Sequence, residues 1–181
     1  MTEKIISTNY ADKVYIAGAL AGMGARAVTM TAIAGTKADD SRIKFVQVNN
    51  GKSPSPGRTK RRHQWFLDKP AHRLHGALLL LMYEKFRKAK DGNHDAHALA
   101  ITESYMWYQK LIFASGDKPL VSLEQFNLLA HYGFRLRWRD LSKGQASAFT
   151  VDNMRIKKCM HCRLPHLVEA HLNTYECQIC G

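Results

Sequence analysis

The residues best equipped for chemistry lie near the end of the chain. Cys159, Cys162, Cys177 and Cys180 are its four cysteines, and they form two C-x-x-C pairs separated by residues 163–176. Thiolates at i and i+3 on a tight turn supply half of a tetrahedral coordination sphere, and a second such turn supplies the other half. The fourteen intervening residues suffice for a short hairpin, with Pro165 near its start and Asn173-Thr174 as a candidate turn. This spacing is that of a zinc ribbon holding one structural Zn2+ per chain. Four thiolates close the sphere and leave no position for a reacting water, which argues against hydrolytic chemistry. Iron–sulfur ligation uses the same four thiolates, and ligand identity alone does not separate the two metals. His161, His166 and His171 lie among the cysteines and are alternative ligands, but with four thiolates in place they fall outside the coordination sphere. A redox C-x-x-C of thioredoxin type needs a βαβ context, which does not precede Cys159.

Charge is the second chemical feature. Lys and Arg number 27 against 15 Asp and Glu, giving a formal net charge of +12. Residues 58–90 carry ten cations and two acids, and residues 135–163 carry eight and two; the stretch between them is mildly acidic. Excess concentrated in this way creates a local field able to neutralise phosphates, so nucleic acid is the first expected partner. The sharpest run is Arg58, Lys60, Arg61 and Arg62, four cations in five residues following the Gly51–Gly57 loop. No packed core accommodates such a run, so an exposed arm reaching phosphate or a minor groove is expected. Lys157, Lys158 and Arg163 flank the first cysteine pair and offer a second basic rim.

The elements that must position these groups are mainly helical. Apolar residues over 10–34 predict a largely buried helix stopped by Gly35, although Gly18, Gly22 and Gly24 weaken it. A shorter helix is expected from Asp39 to Asn49, capped by Asp39, Asp40 or Ser41, with Ile43, Val46 and Val48 facing inward. Trp65, Phe66 and Leu67 form an anchor for the preceding loop. Pro70 opens a helix to about Lys90 with Leu74, Ala77, Leu78, Leu81, Met82 and Phe86 buried. Asn93 or Asp95 caps a helix to about Ala114, and Ser122 with Gln125 forms a capping box for one ending near Gly133. The alternation Arg135, Leu136, Arg137, Trp138, Arg139 predicts a short strand with one basic face.

The segment Gly24–Asn50 therefore reads as helix, short connection, helix, followed at once by the basic arm. In the DNA-binding version of this pair the second helix enters the major groove. Its polar side chains are Arg42, Lys44, Gln47, Asn49 and Asn50, with Lys52 just beyond. Arg suits guanine edges, and Asn or Gln suits adenine.

These parts together resemble a known family. Gly24-Ala25-Arg26, Ser41-Arg42, Gly51, Ser53, Pro54 and Gly57, Trp65-Phe66, and the paired C-x-x-C motifs are similar to FlhC, a subunit of the flagellar master transcriptional activator. The resemblance extends over residues 15–180 and is firmest at 24–66 and at the cysteines. It implies a mainly helical protein that assembles with an FlhD-like subunit, binds double-stranded promoter DNA and recruits RNA polymerase. It also implies zinc held by Cys159, Cys162, Cys177 and Cys180. Flagellar members continue past the fourth cysteine into a basic tail and lack a run as basic as Arg58–Arg62. The resemblance is thus to a divergent branch, such as activator subunits of conjugative plasmids and integrative elements.

The expected organisation is a helical DNA-binding and oligomerisation domain over 1–150 with a helix-turn-helix-like pair, and a small C-terminal four-cysteine zinc ribbon over 151–181. The longest apolar run, Gly76–Tyr83, is far short of the roughly 20 residues that span a bilayer. Met1–Thr8 has no signal-peptide pattern, so a cytoplasmic, nucleoid-associated bacterial protein is expected. Without a phosphate-binding glycine loop, paired acidic motif or open metal position, an enzyme is not. A zinc-ribbon RNA-binding or ribosome-associated factor shares the charge and the ribbon, and an interaction subunit with an acidic protein partner is the third class.

Overall fold

A computed structural model describes residues 9–53, 63–91, 93, 95–135 and 154–180. Among them the chain is mainly helical: α1 (Tyr10–Gly22), α2 (Ala27–Ala34), α3 (Ala38–Val48), α4 (Pro70–Ala89), α5 (Ala96–Ala114) and α6 (Leu123–Arg135). A single 3-10 turn, His63–Leu67, precedes α4, and the strands β1 (Met154–Lys158) and β2 (Pro165–Glu169) flank the first pair of a four-cysteine cluster whose second pair follows β2. No helix of the described residues is long and apolar enough to cross a membrane. The basic arm Arg58, Lys60, Arg61 and Arg62 lies outside the described residues, as do 136–139 of the expected basic strand and the boundary at 150. Arg135 itself closes α6 rather than opening a strand.

Residues group into two compact units, one from Met1–Lys60 and Tyr83–Asn127, the other from Arg61–Met82 and Leu128–Gly181. The division falls within α4 and α6.

In the first unit α1, α2 and α3 pack mutually, and α1 and α2 also meet α5. The single helix expected over 10–34 is broken in two. Gly24 takes φ +89°, which only glycine adopts without strain, and the Ala25 amide turns back to the Leu20 carbonyl at 2.9 Å. Arg26 then starts α2, its backbone N–H and Nε both donating to Glu124 Oε1, at 3.2 and 2.9 Å. A bond across 98 residues holds this corner, and no local pattern announces it. α2 ends as expected at Gly35, φ +67°, whose amide donates to the Thr31 carbonyl at 3.0 Å. Only Gly35, Thr36 and Lys37 separate α2 from α3.

A buried hydroxyl cluster fastens that turn. Ser41, fully buried on α3, lies 2.9 Å from Thr31 Oγ1 and 2.6 Å from Thr36 Oγ1. Tyr10, at the start of α1, donates its hydroxyl to Asp40 and accepts the Lys37 amide at 3.0 Å. Lys37 is the N-cap residue and makes no side-chain capping bond; Asp39 and Asp40 stand in the first turn, where acids favour the helix dipole. The expected inward face of α3 is corrected at Ile43, which is 57% exposed; Val46 is half-buried, and Val48, though 38% exposed, lies against α1, where a Cβ on Gly22 would fall 3.9 Å from its Cγ1. Ser41 and the half-buried Lys44 and Phe45 share the inner side with these valines. The Lys44 stem lies against Gly18 of α1, where an added Cβ would fall 2.7 Å from Lys44 Cε. An aliphatic lysine stem thus covers apolar surface that a branched residue was expected to cover.

α5 and α6 close the unit. The Tyr105 hydroxyl donates to the Val121 carbonyl at 2.9 Å, and the Tyr108 hydroxyl accepts the Leu120 and Val121 amides, each at 3.2 Å. The capping box forms as expected: Ser122 N donates to Gln125 Oε1 at 2.9 Å, and Gln125 N to Ser122 Oγ at 3.3 Å.

In the second unit the first part of α4 and the 3-10 turn support the ribbon. Phe66 is fully buried, and Trp65 stacks on His72 with ring centroids 3.8 Å apart, so the anchor at 65–67 forms. The buried stripe of α4 is His72, Gly76, Leu79, Leu80 and Tyr83, with Ala77 alongside. Of the expected face only Ala77 is fully buried; Leu74, Leu78, Leu81, Met82 and Phe86 are half-buried. β1 and β2 pair antiparallel with Ile156 opposite Leu167 and Lys157 opposite His166.

Candidate metal centre and nucleic-acid interface

The hairpin between β1 and β2 delivers the first cysteine pair. Cys159 N donates to the Leu164 carbonyl at 3.0 Å, and Arg163 N to the Cys159 carbonyl at 3.2 Å, closing a tight knuckle. Arg163 takes φ +62°, the left-handed conformation that usually favours glycine at such a turn. Met160 N donates to the Tyr175 carbonyl at 2.9 Å, which brings the segment carrying Cys177 and Cys180 alongside.

The four sulfurs converge. Cys159 and Cys180 are 3.6 Å apart, Cys162 and Cys177 3.6 Å, and Cys177 and Cys180 3.2 Å, with all four Sγ atoms within 4.8 Å of one another. Disulfide bonds are excluded, since an S–S bond is about 2.05 Å. Sulfurs placed ~2.3 Å from a common tetrahedral centre lie about 3.8 Å apart, so the observed spacing fits one metal ion. The protein also prepares negative charge: burial raises the Cys159 thiol, but the N–H groups of Cys177, Cys162 and His161 outweigh that and bring it to about 6. Its neighbour Cys180 is pushed up to about 12, first by its contact with Cys177 and then by burial. Thiols this close cannot all ionise without a cation between them.

The histidines stand apart from this cluster. His161 faces Glu176 at 3.6 Å, and His166 is buried beside Tyr175, ring centroids 5.1 Å apart. Burial first, and then Arg73, lower the His166 pKa and keep its imidazole neutral.

Residues distant in sequence hold the ribbon in place, and sequence reasoning missed them. Arg73 of α4 meets Glu169 of β2 through Nη1–Oε2 at 2.8 Å and Nη2–Oε1 at 2.9 Å, while its Nε donates to the Leu67 carbonyl at 3.0 Å. A Cβ on Gly76 would fall 2.6 Å from Leu167 Cδ1 and 2.8 Å from Phe66 Cδ1. The one available signal was a glycine within the leucine-rich α4; nothing marked Arg73 among so many arginines.

The expected nucleic-acid residues divide into two groups. Arg42, Gln47, Asn50 and Lys52 are exposed, and Arg42 Nη1 lies 3.1 Å from Asp39 Oδ1. Lys44 is turned onto α1, and Asn49 Nδ2 donates to the Phe45 carbonyl of its own helix at 2.9 Å. At the ribbon, Lys158 and Arg163 are exposed. Lys157 instead points its ammonium at the Leu172 carbonyl, 3.4 Å away, and shares that acceptor with the buried Arg155. Burial and then the Arg155 charge lower the Lys157 pKa.

Among known proteins, no family model matches this sequence, and no curated protein matches it significantly.

Proposed function

We propose that this chain is the DNA-binding subunit of a bacterial transcriptional activator complex. It binds promoter DNA together with an FlhD-like partner and recruits RNA polymerase to flagellar or conjugative-transfer genes, in the cytoplasm and at the nucleoid. The observation that carries this reading is the α2–α3 pair: two helices joined by three residues, with Arg42 and Gln47 exposed on the second. In sequence the basic run at 58–62 begins ten residues after the end of α3, and its role in this reading is to add phosphate contacts and affinity without sequence choice.

One structural zinc per chain completes the proposal. It ties the two cysteine knuckles together and leaves Lys158 and Arg163 exposed for contact with phosphate. Four thiolates leave the ion no open position, and the role is binding rather than catalysis.

Salt-titrated binding to a promoter duplex, a random duplex and a structured RNA tests the reading. Clear preference for one promoter duplex, strongest when the partner subunit is co-expressed, is the expected result. Equal binding to all three would overturn it in favour of a general or RNA-binding role. Neutralising Arg58, Lys60, Arg61 and Arg62 should weaken binding to every sequence and flatten the salt slope.

A further inference from the structure

Ile43 stands on the outer side of α3, 57% exposed, next to Arg42 and one helical turn before Gln47. The contacts that seat α3 run through other residues: Ser41 to Thr31 and Thr36, Lys44 to Gly18 and Val48 to Gly22. A single exposed aliphatic residue is ordinary on a protein surface. What distinguishes Ile43 is its company: of its neighbours one turn away Val46 is half-buried, while Asp39 and Gln47, like the adjacent Arg42, are exposed, so at the surface hydrogen-bonding groups flank it on either side. Major-groove base edges have the same mixed character. They present donors, acceptors and one apolar group, the C5-methyl of thymine.

Resting on the DNA-binding reading above, we infer that Ile43 is a specificity-determining residue that reads a thymine methyl at or next to the adenine contacted by Gln47. Positions i and i+4 lie about 6 Å apart on a helix face, which places the two side chains over the same or neighbouring base pairs. The proposal assigns α3 a preference for an A·T-containing step, and it assigns that preference to an apolar contact that cation-based reasoning overlooks.

The test uses the full zinc-loaded chain and a duplex selected by it from a randomised pool. Each thymine of that duplex is replaced in turn by deoxyuracil, which removes only the methyl group. Binding is then measured for the unaltered chain, Ile43→Ala and Ile43→Val. At one thymine, the unaltered chain should lose about fourfold in affinity, the value for one buried methyl. Ile43→Ala should show no loss at that position, and Ile43→Val should keep most of it. Equal sensitivity of the unaltered chain and Ile43→Ala at every thymine would overturn the inference while leaving DNA binding intact. So would an Ile43→Ala effect confined to association with a protein partner. Failure of the pool to yield any duplex bound better than random would remove the DNA-binding reading itself, and this inference with it.

Discussion

The guanidinium of Arg73 grips the carboxylate of Glu169 through two parallel hydrogen bonds, at 2.8 and 2.9 Å, joining residues 96 apart in the chain. Bidentate pairing of this kind is the strong form of an ion pair. It fixes β2, and with it the cysteine hairpin, to the first part of α4. Glu169→Gln should therefore loosen the ribbon, at a cost of about 2 kcal/mol, the range for hydrogen bonds to charged groups.

The same pair sets a pH dependence. Hydrogen bonding from Arg73 holds the Glu169 carboxyl below the usual carboxylate range. A folded pKa depressed in this way gives stability that is complete above the unfolded value of about 4.3, and that is lost as pH falls through the folded value. Denaturant unfolding at neutral pH and near pH 3 should show the Glu169→Gln penalty shrinking on acidification. A penalty that is constant with pH would mean that the ionised pair is not its source.

Gly76→Ala pits two effects against each other. Helix propensity favours alanine by about 1 kcal/mol. The new Cβ, however, would meet Leu167 Cδ1 at 2.6 Å and the Phe66 ring at 2.8 Å, both buried, and overpacking of this kind costs about 1–3 kcal/mol. The clash should win, because an aromatic ring cannot retreat as a flexible chain end can. A lowered midpoint in thermal unfolding is expected; a raised one would show that the ribbon sits farther from α4 than 2.6 Å implies.

How far could these relationships be read in advance? Local chemistry was legible. The cysteine spacing, the Gly35 stop, the Ser122–Gln125 capping box and the Trp65-Phe66 anchor each depend on a few adjacent residues, and each forms. What escaped depends on partners far along the chain. Three glycines interrupt residues 10–34, and their number alone does not say which one breaks the helix; Gly24 does, beside the Arg26–Glu124 bond. The inner side of α3 was assigned to Ile43, Val46 and Val48; Val48 does lie against Gly22, but the Lys44 stem packs on Gly18 and Ile43 stays outside. Arg73, among 27 cations, carried no mark of its role.

Ser41→Ala examines the turn between α2 and α3. The substitution removes the hydroxyl that joins Thr31 and Thr36, leaving Thr36, itself buried, short of a partner. A loss of about 1–3 kcal/mol is expected, the penalty for an unsatisfied buried polar group. Hydrogen exchange should speed first in α2 and α3. Unchanged protection there would show that the hydroxyl cluster does not hold the turn.

Metal binding is testable independently of DNA. Elemental analysis should find one zinc per chain, and Cys159→Ser or Cys177→Ser should abolish it. Chelation should destabilise the ribbon, since binding energy at such a site is folding energy. A Cys177→Ser protein that keeps one zinc and full stability would contradict tetrahedral ligation by all four thiolates.

The central claim is that the outer face of α3 reads DNA sequence, and the specificity ratio tests it most directly. Affinity for a selected duplex is divided by affinity for a random duplex, in the unaltered protein and in Arg42→Ala and Gln47→Ala. One lost base contact costs ~1–3 kcal/mol, so each substitution should lower the ratio by about fivefold or more. Gln47 carries no charge, so its replacement should leave random-duplex binding and its salt dependence unchanged. Ratios equal to that of the unaltered protein in both variants would contradict the account.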